Sequence, residues 1–412
     1  MRVGIDFGTS YSSAAYLRDG HPMAVKPMKG QSPSVPSIVA VSPQGELQVG
    51  HGAAHARADR SISEFKQYLG DDDWPLLLAG RELRPAELVT RLLAFLRDAT
   101  PTADGPPDAA VLTVPASYGP HRRDLMRLAG QAAGFADVDI LEEPIAAAHY
   151  YAREGGLQAK DGDLLVVYDL GGGTFDIALV QAAHGGYETI GYAGLPDCGG
   201  IDFDTCLYED IKRRCQRSRE LLDADTDNAG HDARLAVLQM RLAVRQFCRD
   251  FKQLLSEAEE HDGMVPTNVF PPEEYRLTRG AFEKMITPLI DETVELSEGL
   301  MRDAELGWKQ ISAVLMVGGS CRIPYIRRRL EQLNPHVLQV DELDLAVAYG
   351  AAIYGQQLDQ HPPKTNHLLA SEILPPQQPG PPEERKDDST PLAAGKRAGA
   401  VLTHGKSAAG RL

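Results

Sequence analysis

The stretch VVYDLGGGTFDIALV, residues 166–180, joins two apolar runs through a glycine-rich turn. The first run ends at Asp169, three glycines and Thr174 follow, and the second run begins at once and carries Asp176. Short apolar runs bounded by glycine are typical of buried strands. The stretch therefore predicts a tight hairpin with a carboxylate on each strand beside the turn.

A second stretch, VGIDFGTSYSSAAYL at residues 3–17, follows the same plan. Here the apolar run ends at Asp6, and a Gly/Thr/Ser turn leads into another apolar run. Two similar hairpins far apart in the chain indicate two lobes that face each other across a cleft. Chance similarity, with each turn an ordinary tight hairpin, is the alternative.

Both turns have the chemistry of an anion site. Glycines expose backbone N–H groups and allow left-handed backbone, and several inward-pointing N–H groups hold phosphate. A carboxylate beside such a turn would repel phosphate unless a cation lay between them, and Mg²⁺ supplies that charge while keeping several waters. The two hairpins together therefore predict that a magnesium–polyphosphate binds between the two turns.

The chain has other glycine motifs. The P-loop pattern G-x-x-x-x-G-K-[ST] is absent, and GAVLTHGKS at 399–407 has one residue too many between its glycines. VLMVGGSCRIP at 314–324 predicts a strand that ends at Gly318 and Gly319 and a helix that begins near Pro324. In an open α/β sheet such a turn can lie against a ligand.

Composition sets wider limits. The chain has 412 residues, a net charge of −16 and five cysteines without a C-x-x-C pair. We expect no nucleic acid or anionic membrane as partner, no disulfide framework or structural zinc, and a cytoplasmic location. The start MRVGIDFGTS resembles no secretory signal, and no apolar run approaches a membrane span.

Strand and helix patterns alternate up to about residue 359, which predicts an α/β fold. Residues 207–261 are charged and helix-prone, and 223–232 look like an exposed tip, so we expect a helical lobe there. The Pro-rich segment 359–412 predicts a disordered tail with a short apolar island at 368–374.

Five motifs in order carry a resemblance. They are GIDFGTSYS (4–12), VLTVPASYGPHRR with LEEPIAAAHYYA (111–152), YDLGGGTFDIA (168–178), GGIDFDTCL (199–207), and VGGSCRIP with LDLAVAYGAAIYG (317–355). Together they resemble the nucleotide-binding domain of the DnaK-type 70-kilodalton heat-shock chaperones, which belongs to the actin and sugar-kinase superfamily.

The resemblance covers about residues 1–358. It implies a two-lobed, actin-like ATPase fold with duplicated ribonuclease-H-like cores. It places lobe I at about 1–160 plus 345–358, lobe II at about 161–344 and a helical sub-lobe at about 200–280.

The resemblance also implies a site for ATP or ADP with Mg²⁺. It assigns Asp6 and Asp169 to hydrated Mg²⁺, and Lys66, Glu143, Asp169 and Asp176 to hydrolysis. Nucleotide-binding positions are Gly8, Thr9, Ser10, Tyr11, Gly171, Gly172, Gly173, Thr174, Gly200, Lys252, Ser256, Gly318, Gly319, Ser320, Arg322 and Asp344.

Two positions depart from the family. Gln253 stands where the family has an arginine that stacks on adenine, and Arg249 stands where it has a glutamate that binds ribose. A glutamine stacks less well than a guanidinium plane, so we expect weaker ATP binding than in a typical chaperone. No peptide-binding β-sandwich is expected after residue 358.

The leading hypothesis is a slow magnesium-dependent ATPase whose nucleotide state opens and closes the cleft for a protein partner. The alternatives are a nucleotide-dependent scaffold or filament protein with little hydrolysis, and a small-molecule kinase. The partner and the oligomeric state stay open.

Overall fold

Strands and helices alternate along most of the chain. The computed structural model describes residues 1–27, 31–54, 56, 60–70, 76–102, 105–226 and 230–360. The strands are β1 (Arg2–Phe7), β2 (Tyr11–Arg18), β3 (His21–Ala24), β4 (Val35–Pro36), β5 (Ile38–Val41), β6 (Leu47–Val49), β7 (Ser61–Ser63), β8 (Leu76–Leu78), β9 (Arg81–Leu83), β10 (Ala109–Val114), β11 (Asp137–Glu142), β12 (Leu164–Leu170), β13 (Phe175–Ala183), β14 (Gly186–Leu195), β15 (Glu260–Met264), β16 (Glu274–Thr278), β17 (Ile311–Val317) and β18 (Val337–Leu338). The helices are α1 (Pro85–Ala99), α2 (Pro120–Ala132), α3 (Glu143–Arg153), α4 (Gly200–Arg214), α5 (Gln216–Leu222), α6 (His231–Glu257), α7 (Arg279–Asp303), α8 (Pro324–Glu331) and α9 (Ala346–Gln360).

Two sheets carry the fold and share one strand order. The first sheet runs β3-β2-β1-β10-β11, with β4 also paired to β2, and the second runs β14-β13-β12-β17-β18. In each, a meander of three antiparallel strands continues into two further strands parallel to the first strand of the meander. The two predicted hairpins are confirmed as the central strand pairs of these sheets, here called the first hairpin (β1–β2) and the second hairpin (β12–β13).

Central strands are apolar on both faces because both faces are covered. Val166 and Tyr168 on β12 belong to a core built with α4, α6 and α7, while Leu165 and Val167 face a second core shared with α3 and α9. Runs of buried Val, Ile and Leu are what such doubly covered strands require. The sequence could therefore show them as continuous apolar runs.

The helices α3 and α9 cross between the two sheets at very short range. A Cβ on Gly350 would lie 1.7 Å from the carbonyl oxygen of Ala146, and a Cβ on Gly4 would lie 2.3 Å from the backbone N of Ala352. Glycine is required at both positions because no side chain fits. This close crossing brings the start of α3, which is Glu143, next to the hairpin turns.

The helical segment differs in part from its prediction. Helix α5 ends at Leu222 and α6 begins at His231, and residues 227–229 of the predicted tip lie outside the described residues. However, α6 ends at Glu257, and residues 260–278 form the antiparallel hairpin β15–β16 rather than more helix. Alternating exposure along β16, with Tyr275 and Leu277 buried, gives it a strand period that composition alone concealed.

Helix α9 continues to Gln360, the last described residue, so the predicted tail boundary at 359 falls within the last turn of a helix. The rest of that segment, including the island at 368–374 and the stretch 399–407, lies outside the described residues. No helix in the described part of the chain is long and apolar enough to cross a membrane.

Candidate functional site

The second hairpin places two carboxylates opposite each other. Asp169 on β12 pairs directly with Asp176 on β13, so their side chains lie on the same face of the sheet. The turn is closed by a hydrogen bond from the N–H of Gly171 to the carbonyl of Thr174 at 3.0 Å. Both acids therefore sit immediately beside the glycine turn, as the sequence predicts.

The first turn of α4 encloses this hairpin. The N–H of Gly200 donates to the carbonyl of Gly171 at 3.1 Å, and the N–H of Ile201 donates to that of Gly172 at 2.7 Å. A Cβ on Gly199 would lie 2.7 Å from the N of Gly173, so only glycine permits the approach. Gly200 thus belongs to the same site as the three glycines.

The first hairpin faces the second at contact distance. A Cβ on Gly172 would lie 2.8 Å from Oγ of Ser10, and a Cβ on Gly8 would lie 2.1 Å from the carbonyl oxygen of Tyr11. The Ser10 hydroxyl is buried without a hydrogen-bond partner in the described structure. A buried polar atom without a partner is costly, so this hydroxyl is suited to a ligand oxygen between the two turns.

Asp6 of the first hairpin lies opposite Ser13 and is held by a hydroxyl. Oγ1 of Thr113, on the neighbouring strand β10, donates to Oδ1 of Asp6 at 3.2 Å. Burial raises the pKa of Asp6 to about 7, Glu143 adds to the rise, and Lys66 and Thr113 oppose it. The influence of Glu143 and Lys66 shows that Asp6 belongs to the same charged group as they do.

Lys66 pairs with Glu143 at the centre of the group. Their Nζ and Oε1 atoms are 2.9 Å apart, and Lys66 is only 7% exposed although it carries a charge. Burial alone would lower the pKa of Lys66, but the carboxylate of Glu143 and other neighbours outweigh it and the pKa is raised. The lysine is therefore held in its charged form.

The fold destabilises the ionised form of both acids of the second hairpin. Burial raises the pKa of Asp176 to about 6, with Glu143 adding to the rise. Burial, followed by the charges of Glu143, Asp176 and Asp6, raises the pKa of Asp169 well above its usual range. Four carboxylates thus share one lysine, and such a group favours an added cation.

The spacing of the acidic side chains limits how a metal ion could bind in this group. In the part of the chain that the structure describes, no group of three or more His, Cys, Asp or Glu side chains could hold a metal ion directly. A divalent cation that keeps most of its waters and takes one or two carboxylates fits this donor set, which is the habit of Mg²⁺. A narrow pocket of about 20 Å³ beside Glu143, Asp169 and Asp176 leaves room for a water molecule.

The third glycine motif is confirmed and lies beside the second hairpin. β17 ends at Val317, Gly318 has φ +85°, and α8 begins at Pro324. Oγ of Ser320 donates to the carbonyl of Gly171 at 2.7 Å. This bond fastens the motif to the glycine turn.

Arg322 and Asp344 form the outer part of this motif. Nη2 of Arg322 lies 3.3 Å from Oδ2 of Asp344, and Nη1 donates to the carbonyl of Asp341 at 2.9 Å. A Cβ on Gly319 would lie 2.6 Å from Oδ1 of Asp344. The predicted residues of this side are therefore brought together.

On α6, Lys252 is already engaged. Its Nζ donates to the carbonyl of Gly200 at 2.6 Å and lies 2.7 Å from Oδ1 of Asp204, which is buried. The hydroxyl of Ser256 donates to the carbonyl of Lys252 at 3.1 Å. Gln253 is exposed on the same helix.

Sequence reasoning missed Tyr118, Thr113 and Asp204. Tyr118 is buried, and its hydroxyl lies 3.4 Å from the carbonyl of Lys66, while its ring stacks on Arg122. Each of these three residues lies in a motif that the sequence analysis quotes, but their contacts come from distant segments. No periodicity along the chain could have revealed them.

The site and the fold define a two-sheet α/β protein with two glycine hairpins that face each other and enclose a buried carboxylate–lysine group. Comparison with known proteins agrees. A family model described as Hsp70 protein matches residues 74–375. A chaperone protein DnaK of Nitrosopumilus maritimus (strain SCM1) is 30% identical over 366 residues, which is 85% of this chain and 55% of the relative.

The chain belongs to the Hsp70 family and has the actin-like ATPase fold of that family's nucleotide-binding domain, as predicted. It spans about half the length of the curated relative that it matches.

Proposed function

We propose that this chain binds Mg–ATP between the two hairpins and hydrolyses it slowly. One observation carries the proposal: the buried Lys66–Glu143 pair lies among Asp6, Asp169 and Asp176, directly beside two glycine turns in contact. Phosphoryl transfer needs charge neutralisation and a positioned water more than covalent chemistry, and this group supplies both. Membership of the Hsp70 family supports ATP as the nucleotide.

The phosphate side would be formed by the two turns. Backbone N–H groups of Gly8, Gly172 and Gly173 would hold phosphate oxygens, with hydroxyls of Thr9, Ser10 and Thr174 as further donors, while Gly171 would shape the turn. The partnerless Ser10 hydroxyl supports this role. Tyr11 and Gly200 would complete the rim of the phosphate site.

Asp6 and Asp169 are our candidates for holding a hydrated Mg²⁺. When bound, the ion neutralises developing phosphate charge. The raised pKa values of both aspartates support this assignment, because each carboxylate is destabilised until a cation joins it.

For hydrolysis, we assign Lys66 to the γ-phosphate and the attacking water. Asp176, whose pKa of about 6 makes it a base near neutral pH, or Asp169 would accept the proton, and Glu143 would order Lys66 and the water. The side with Gly318, Gly319, Ser320, Arg322 and Asp344 would take the adenosine, with Lys252 and Ser256 opposite.

We further propose that nucleotide state changes the separation of the two sheets and that a protein partner reads this change. A cytoplasmic location would suit such a role. The crossing of α3 and α9, which are the helices between the sheets, is the natural place for such movement.

The test is single-turnover hydrolysis of Mg–ATP by the full chain, with sedimentation of the same samples. We expect slow hydrolysis by the wild type and a loss of roughly 100-fold or more in Lys66→Ala, since the lysine acts on the reacting phosphate. Lys284→Ala, an exposed lysine on α7, is the matched control and should match the wild type.

Absence of hydrolysis in the wild type, or formation of an ATP-dependent polymer, would defeat the proposal. The second result would favour the scaffold or filament alternative. Transfer of phosphate to an added small molecule would favour a kinase.

A further inference from the structure

Arg249 links the two halves of the site at its rim. Its Nη1 donates to the hydroxyl of Tyr11 at 3.1 Å, although 238 residues separate them in the chain. Tyr11 opens β2 beside Ser10, whereas Arg249 lies on α6, which packs on α4 over the second hairpin. The contact therefore runs from one hairpin to the helices that enclose the other.

Both partners lie at the surface of the site rather than in its core. Tyr11 is 43% exposed, and the side chain of Arg249 is 39% exposed. Neither residue contributes to a hydrophobic cluster. A contact between two half-exposed side chains adds little to the packing of the core. Its position across the opening of the site therefore needs another explanation.

Arg249 is oriented from behind by a buried acid. Nε of Arg249 lies 3.8 Å from Oδ2 of Asp204, and the other oxygen of Asp204 lies 2.7 Å from Nζ of Lys252. The neighbouring Asp250 accepts instead from Gln246 at 2.7 Å. A guanidinium has five N–H donors, so Arg249 keeps donors for a ligand while holding both Tyr11 and Asp204.

We propose that Arg249 is a retention residue for the bound nucleotide: with Tyr11 it closes the rim of the site, and a nucleoside diphosphate leaves only after that contact breaks. The inference rests on the proposed function. It also gives the two unusual positions on α6 separate effects on the nucleotide. Gln253 weakens stacking, whereas Arg249 slows release.

The experiment measures release of ADP from the full-length protein. Radiolabelled Mg–ADP is bound, an excess of unlabelled Mg–ADP is added, and the remaining complex is followed by filter binding. We expect Arg249→Ala and Tyr11→Phe each to speed release by roughly five- to tenfold, which lies within the range for an ordinary hydrogen bond. The double variant should release no faster than Arg249→Ala, because the two residues share one contact.

Arg245→Ala is the matched control. Arg245 lies one turn earlier on α6, and its guanidinium stacks on the ring of Tyr208 at 5.1 Å, away from Tyr11. It should release ADP at the wild-type rate, and Arg249→Lys should fall between wild type and Arg249→Ala.

Wild-type release rates in Arg249→Ala and Tyr11→Phe, with ADP still bound, would overturn this inference and leave the proposed function intact. Additive effects in the double variant, or equal acceleration by Arg245→Ala, would also overturn it. If the wild type binds no ADP, the proposed function fails and the inference fails with it.

Discussion

The two hairpins have the same backbone plan but different cross-strand partners. In the first, Asp6 lies opposite Ser13, whereas in the second, Asp169 lies opposite Asp176. Both turns contain glycine, and the two sheets to which the hairpins belong have the same strand order. The residue opposite the aspartate therefore makes the two hairpins chemically different. The first has a single acid, and the second has two acids that face each other.

The surroundings widen this difference. Asp6 receives a hydrogen bond from Thr113, which stabilises its ionised form. Asp169 is buried among carboxylates, with Glu143, Asp176 and Asp6 all raising its pKa and Lys66 the one opposing charge among the main causes. We infer that the first hairpin mainly binds, and that the second hairpin carries the acid–base chemistry.

The largest effect should distinguish the two hairpins directly. Asp169→Asn removes an acid that we assign to both the cation and the water, so single-turnover hydrolysis should fall by roughly 100- to 1000-fold. Asp6→Asn removes only the cation contact that we propose for Asp6, and it should cost about tenfold less. Both rates are measured at saturating Mg–ATP, so that weaker binding does not enter.

Asp291→Asn serves as the control, since this acid on α7 is half-exposed and pairs with Arg329 outside the site. It should hydrolyse ATP at the wild-type rate. Equal losses in Asp6→Asn and Asp169→Asn would contradict the division of labour between the hairpins.

The hairpins themselves could be predicted because their signal is local. Glycine turns, apolar strands and the aspartates beside the turns all lie within 15 consecutive residues at 166–180. The facing of Asp169 and Asp176 then follows from strand geometry. The same holds for the strand–turn–helix at 314–324, which the structure confirms.

Contacts between distant segments could not be predicted from the residues alone. Lys66 and Glu143 are 77 residues apart, and without the family resemblance Lys66 is an ordinary surface lysine. The Arg249–Tyr11 contact depends on how α6 packs over the second sheet. The β15–β16 hairpin was missed because its sequence is polar and follows a long helix.

A smaller effect tests how Lys66 is held. Tyr118→Phe removes the hydroxyl that lies 3.4 Å from the carbonyl of Lys66 and leaves the ring on Arg122 in place. We expect kcat to fall by roughly three- to fivefold with KM unchanged, since a weak hydrogen bond to Lys66, the residue that we assign to the γ-phosphate, is lost. In a Lys66→Ala background the same change should have no further effect.

Tyr275→Phe is the comparison for this variant. It removes a buried tyrosine hydroxyl that donates to Asp210 in the helical segment. It should lower stability without changing kcat. A fall in kcat of the same size in both variants would point to general destabilisation instead.

The smallest effect concerns stability, and it should differ in pH between the hairpins. Asp6 has an ordinary pKa of 3.8 that rises to about 7 in the fold, and that of Asp176 rises from 3.8 to about 6. Each protonated acid therefore stabilises the fold fully below about pH 4, and this contribution is lost as the pH rises through the folded pKa. Asparagine imitates the protonated acid at every pH.

With a chelator present, Asp6→Asn should raise Tm by a few degrees at pH 8, on the order of 1–2 kcal/mol, and by almost nothing at pH 4. The gain should grow from about pH 4 and level off above about pH 7 for Asp6→Asn and above about pH 6 for Asp176→Asn. Thermal unfolding across this range measures the pH at which each gain levels off, and the same value for both variants would show that the two hairpins are electrostatically alike.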